Sequence, residues 1–74
     1  MTQAELTDLE WSILEQLESS ASRKPAEIAI ALEADLESVY EAIDRLQDRE
    51  LIERAGFDSC VLTERGQDIV GSDR

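Results

Sequence analysis

The stretch that most constrains this chain runs from Pro25 to Glu50, "PAEIAIALEADLESVYEAIDRLQDRE". Two helical apolar patterns stand in it almost end to end. Ile28, Ala29 and Leu32 share one face of the first, and Leu36, Val39, Ile43 and Leu46 form the core stripe expected of the second. Both follow the three- and four-residue recurrence of an amphipathic helix. Pro25 suits a first helical turn, where its missing N–H would have no partner in any case. Asp35 is the expected N-cap of the second helix. Only about three residues separate the two, the spacing of a helix-turn-helix.

The flanks complete an order of elements. Thr7 followed by Glu10 matches a capping box, which predicts a helix starting near Asp8. Leu6, Leu9, Ile13, Leu14 and Leu17 line one side of it, and "SSAS" ends it. Beyond Glu50 the period changes: "LIERA" and "SCVL" are short apolar runs around "GFD", the chemistry of a β-hairpin. Thr63 can cap a last short helix, "ERGQDIV", although Gly66 weakens that expectation by roughly 1 kcal/mol. The expected bounds are helices at about 8–20, 25–33 and 36–49, a hairpin at about 51–62 and a helix at about 63–70, within one domain over 1–74. No internal repeat or linker interrupts them.

"AIALEADLESVYEAIDRLQDRELIER" resembles the part of winged helix-turn-helix regulators in which a positioning helix, a turn and a recognition helix lead into the first wing strand. Leu46, Leu51 and Ile52 match that family's Leu followed by an apolar pair. "LTERGQDIV" is similar to its exit from the second wing strand, and "LTDLEWSILEQL" to the first helix of MarR-like and PadR-like regulators. The resemblance covers roughly residues 6–70 and implies an α+β winged helix-turn-helix: three helices, a β-hairpin wing and a short C-terminal helix. Two positions depart from the family pattern. Glu50 and Glu33 stand where glycine is usual, before "LI" and in the interhelical turn; both sites ask for a left-handed or tight backbone.

Charge is the unusual feature of the composition. Eighteen acids against seven bases give −11, and six of the bases are Arg with a single Lys. The acids are spread over the patterned sequence rather than gathered in a tail. This resembles the proteome of a halophile, and with the regulator pattern it points to a halophilic archaeon. An acidic mesophilic protein with basic partners is the competing explanation. An apolar fraction of 42% is enough for a folded globule. No run approaches the roughly 18 apolar residues of a membrane span, and the acidic N-terminus does not read as a signal peptide. A cytoplasmic protein is the expectation. Cys60 is the lone cysteine and there is no His, so an internal disulfide and a Cys/His metal site are both excluded.

The expected recognition helix turns Glu37, Glu41, Asp44 and Asp48 outward, with Ser38, Arg45 and Arg49 on one flank and Tyr40 and Gln47 on the other. A carboxylate can accept from cytosine, but four acids facing a groove cannot be mainly base readout. They are either a solvated face or a surface for a basic partner. In molar salt, where the Debye length is about 3 Å, a solvated acidic face need not prevent DNA binding. The same salt removes the counterion-release gain, leaving close contacts to supply affinity. Candidate DNA contacts are Arg23 and Lys24 before the second helix, Ser38, Tyr40, Arg45 and Arg49 on the third, Arg54 in the wing and Arg65 after it. Each Arg could equally pair with a neighbouring acid. Trp11 and Phe57 are candidate partner or dimer contacts, and Cys60 reads as a small core residue.

Enzymatic readings fail on inventory: no His, no nucleophile motif, no phosphate-binding glycine loop, no calcium-loop spacing, and no cofactor implied. Two functional expectations remain. One is a small transcriptional regulator on double-stranded DNA, acting as a homodimer and adapted to high salt. The other is a protein-interaction module without DNA binding, its acidic helix docking a basic partner.

Overall fold

A computed structural model describes residues 6–20, 22–56 and 58–72. Its elements run α1 (Asp8–Ser20), α2 (Pro25–Leu32), α3 (Leu36–Asp48), β1 (Ile52–Ala55), β2 (Ser59–Leu62) and α4 (Glu64–Ser72). Three helices precede an antiparallel hairpin and a short helix follows it, as the sequence pattern and the resemblance imply.

The capping box at the start of α1 is formed in full. The Glu10 N–H donates to Thr7 Oγ1 at 3.1 Å and the Thr7 N–H donates to Glu10 Oε1 at 3.0 Å. Pro25 opens α2 and is buried there. Asp35 has the extended backbone of an N-cap before α3, but its side chain makes no capping bond.

Helices α2 and α3 end alike. Each closes on a Glu with left-handed backbone, Glu33 at φ 55° and Glu50 at φ 64°. After α2, the Glu33 N–H donates to Ile30 O and the Ala34 N–H to Ala29 O; after α3, the Glu50 N–H donates to Gln47 O and the Leu51 N–H to Leu46 O. These paired bonds are the Schellman arrangement, which satisfies the last carbonyls of a helix. The two positions flagged for their missing glycine are therefore the two where the backbone turns left-handed. A non-glycine residue there costs on the order of 1 kcal/mol, offset by the bonds that close the turn.

The core is built from the inner faces of all the helices and the hairpin: Ile13, Leu14 and Leu17 of α1, Ile28 of α2, Val39, Ala42, Ile43 and Leu46 of α3, then Leu51, Ile52, Cys60 and Val70. One expected member is not there. Leu36 is 43% exposed, and Ala42 occupies the inner face of α3 instead. As the first residue of α3, Leu36 lies before the turn at which the helix begins to cover the core.

Strands β1 and β2 pair in register, Ile52 with Leu62 and Arg54 with Cys60. A third piece of sheet was not foreseen from the sequence. Arg23 forms an isolated antiparallel bridge with Cys60, its N–H donating to Cys60 O at 3.1 Å and the Cys60 N–H returning to Arg23 O at 2.7 Å. This bridge ties the loop before α2 to the inner edge of the hairpin.

Gly66 proved to have a packing role. A Cβ built there would lie 2.1 Å from the carbonyl oxygen of Leu51, so only glycine lets the first turn of α4 sit against the chain leaving α3. Thr63 fastens the same junction: its hydroxyl donates to Glu50 O at 2.6 Å and accepts from the Gly66 N–H at 3.0 Å, and its N–H donates to Leu51 O.

Candidate nucleic-acid interface

Helix α3 holds the candidate surface. Glu37, Glu41, Asp44 and Asp48 are all exposed, as the helical projection requires. Ser38 is half-buried, and Tyr40 is exposed.

Three of the six candidate bases, Arg45, Arg54 and Arg65, are engaged with acids. Arg45 donates from Nε to Glu10 Oε2 at 2.7 Å, crossing from α3 to the start of α1. Glu10 is buried while the Arg45 side chain stays half-exposed. Burial pushes the Glu10 carboxyl up, but the Arg45 hydrogen bond, the Thr7 N–H and the charges of Arg45 and Arg49 outweigh it and hold it below its ordinary value. The bond to Glu10 in turn raises the Arg45 guanidinium. One carboxylate thus closes a capping box with one oxygen and anchors an arginine with the other. Glu41, the i,i+4 neighbour of Arg45 on the same helix, contributes only a lesser charge effect.

In the wing, Arg54 is ion-paired with Asp58 across the hairpin turn. Gly56 and Asp58 both have positive φ there, which folds the turn tightly enough for an i,i+4 pair. The hydrogen bond that Arg54 donates to Asp58 is the main influence raising its guanidinium, and the neighbouring Cys60 and Tyr40 add smaller effects. Arg65 stands 3.6 Å from Glu50, both well exposed, a pair worth little in water. Arg23 is half-buried in its bridge with Cys60. Lys24 and Arg49 are exposed and make no ion pair with a described residue.

Arg45 and Arg49 share the flank of α3 that faces Glu10, whereas Tyr40 lies on the other flank, toward Arg54. Trp11 is half-buried and packs on the edge of the core. Phe57, the other candidate contact, lies outside the described residues. Cys60 is fully buried, and burial pushes its thiol up, so it is a core residue and not a reactive one.

A positioning helix, a tight turn, an exposed second helix and a hairpin wing are the parts of a winged helix-turn-helix. The MarR family model matches residues 6–55, well over half of the 74. The chain belongs to the MarR family. Solved MarR-family structures superpose closely on it. The reduced form of MarR from E. coli matches with a TM-score of 0.87 at 28% identity, over 92% of this chain and 51% of that one. Wild-type ZitR of Lactococcus lactis gives 0.87 at 27%, over 96% and 50%. RV1404 from Mycobacterium tuberculosis gives 0.86 at 26%, over 90% and 50%. This MarR-family chain therefore spans about half the length of the solved relatives it matches. Comparison with curated proteins finds no match.

Among the described residues, no helix is long and apolar enough to cross a membrane, and no group of three or more metal-ligating side chains is found.

Proposed function

We propose that this MarR-family chain is a cytoplasmic, non-enzymatic transcriptional regulator that binds double-stranded DNA as a homodimer and is adapted to high salt. The observation that carries the reading is the helix-turn-helix itself: α2, a Schellman turn at Glu33, and α3 standing exposed beyond it. In this reading α3 enters the major groove, and Lys24 at the start of α2 and Arg49 at the end of α3 grip phosphates, with Arg23, Arg45, Arg54 and Arg65 as further contacts. Ser38 and Tyr40 supply polar contacts from the first half of α3. The four outward acids are solvation, tolerable where salt screens them over about 3 Å. The Arg-rich, Lys-poor composition and the net charge of −11 support the salt-adapted origin.

Fluorescence anisotropy on labelled genomic duplex fragments tests this reading, from about 0.1 M to about 3 M KCl. Binding that persists at high salt and is lost in Lys24→Ala/Arg49→Ala supports it. A folded protein that binds no duplex at any salt overturns it.

One structural observation favours the alternative, a winged-helix interaction module docking a basic partner. Three of the candidate arginines are already committed to Glu10, Asp58 and Glu50, while every outward acid of α3 is open.

A further inference from the structure

Among the described residues, the large apolar side chains left most open are Ile30, Leu36 and Tyr40, with Ile30 at 77%. They are not scattered. Ile30 and Leu36 line one open, almost purely apolar cavity of about 270 Å³, whose remaining walls are Ala26, Ala29 and Ala34. Tyr40 follows Leu36 by one helical turn, on the same side of α3. The groove therefore runs from the outer face of α2, across the interhelical turn, to the opening of α3. Isoleucine on the outside of a short helix does nothing for the core, which is filled from the opposite face by Ile28 and Ala29. The small floor of three alanines leaves room for one or two inserted side chains. It is too shallow to bury a small molecule.

The charge around the groove selects its occupant. From Pro25 to Asp44 the chain has six acids and no base, and the exposed Glu33, Asp35 and Glu37 alternate along the chain with Ala34 and Leu36, which line the groove. We propose that this groove docks an amphipathic helical segment of another protein, with an apolar face flanked by Lys and Arg. A second copy of this chain is disfavoured, because a symmetric contact would set Glu33, Asp35 and Glu37 against their own equivalents. In dilute salt, where screening is weak, phosphate-bearing partners meet the same repulsion. An apolar groove read by an i, i+3 or i+4, i+7 stripe, with basic flanks over an acidic rim, is a familiar mode of helix recognition. The docking does not depend on duplex binding, and because both would use the first half of α3, helix partner and duplex exclude one another.

The test uses three fluorescein-labelled synthetic helices of about 15 residues. One carries a leucine stripe with lysine flanks, one has serine for leucine with the lysines kept, and one has glutamate for lysine with the leucines kept. The first is expected to bind and the other two at least about tenfold more weakly. Ile30→Ser is expected to weaken the first peptide by about tenfold with an unchanged melting temperature, because the side chain is exposed. Ala26→Gln, which fills the floor from an exposed helical position, is the second variant and should do the same. Equal binding of the serine peptide means charge alone and overturns the groove; equal binding of the glutamate peptide overturns the acidic rim. A dimer in sedimentation that Ile30→Ser dissolves, with no peptide binding, makes the occupant a second copy. Weakened duplex binding in Ile30→Ser with peptide binding unchanged assigns the patch to DNA and overturns the proposal. Loss of duplex binding in Lys24→Ala/Arg49→Ala bears on the regulator reading alone, so the two can fail separately.

Discussion

Glu10 and Arg45, thirty-five residues apart, meet at 2.7 Å and join the start of α1 to the middle of α3. The carboxylate is buried and already accepts from the Thr7 N–H through its other oxygen; among the described residues Arg45 is its ion-pair partner, and the charge of Arg49 adds a lesser effect. A buried carboxylate left unpaired loses more than the pair itself contributes.

Glu10→Gln separates the two roles. Glutamine can still accept from the Thr7 N–H through its oxygen, but its amide nitrogen meets the Arg45 Nε–H donor to donor. Because folding holds the Glu10 carboxyl below its ordinary 4.5, its contribution is full above that pH and disappears as pH falls through the lower folded value. Thermal unfolding at about pH 7 should show Glu10→Gln less stable than the native chain, with the gap closing as the pH is taken down into acid. A gap that persists in acid would rule out the ion pair as its origin.

Gly66→Ala should be among the most damaging single changes available. The added Cβ would collide with backbone, the Leu51 carbonyl, which cannot rotate aside as a side chain can. A loss of about 3 kcal/mol or more is expected, read from denaturant midpoints at constant slope. An alanine variant within about 1 kcal/mol of the native chain would show that α4 is free to shift.

Glu33→Gly and Glu50→Gly should each stabilise the fold. Both positions are left-handed, and glycine adopts that backbone without a Cβ penalty. The gain is about 0.5–1 kcal/mol apiece after allowing for glycine's greater freedom when unfolded. The two sites close different helices and the gains should add. A lower melting temperature in either variant would mean that the Glu side chain matters more than its backbone.

Salt should raise stability. At −11 over 74 residues, self-repulsion opposes the compact state, and screening within about 3 Å at 1 M removes most of it. The melting temperature is expected to climb from dilute buffer to molar KCl. An unchanged value would count against salt adaptation.

Cys60 should resist modification while the chain is folded. It is fully buried, bonds through its backbone N–H and C=O to Arg23, stands opposite Arg54 in the hairpin, and has a thiol raised by burial. A thiol-reactive dye should label it at the rate of unfolding, speeding up with denaturant. Rapid labelling in native buffer would place the sulfur at the surface.

Much of the fold was legible before any coordinates, because it depends on signals that are local in the chain. Apolar recurrence placed the core faces of α1 and α2, Thr7 and Glu10 marked the start of α1, and "GFD" between two short apolar runs marked the hairpin turn. Glu33 and Glu50 were conspicuous as residues standing where a left-handed turn is expected, and both turns are there. The candidate surface was legible in outline for the same reason: the outward acids of α3 follow from helical projection alone.

What only the tertiary structure decided depends on residues distant in sequence. Periodicity assigns a face but not how far the neighbouring element reaches, so Leu36 was expected inside and is open at the start of α3. A helix propensity scale counts Gly66 as a weakness, because it knows nothing of the Leu51 carbonyl against which the glycine packs. The Arg23–Cys60 bridge is a single pair of backbone bonds, too short to leave an alternating pattern. Arg45 could have paired locally with Glu41; the close approach of α1 gave it the buried Glu10 instead, since a partner already desolvated and fixed outbids one waving in water. Local chemistry in the sequence determined the elements and their order, and contact between distant elements determined which charges are spent inside the fold and which apolar side chains are left open to a partner.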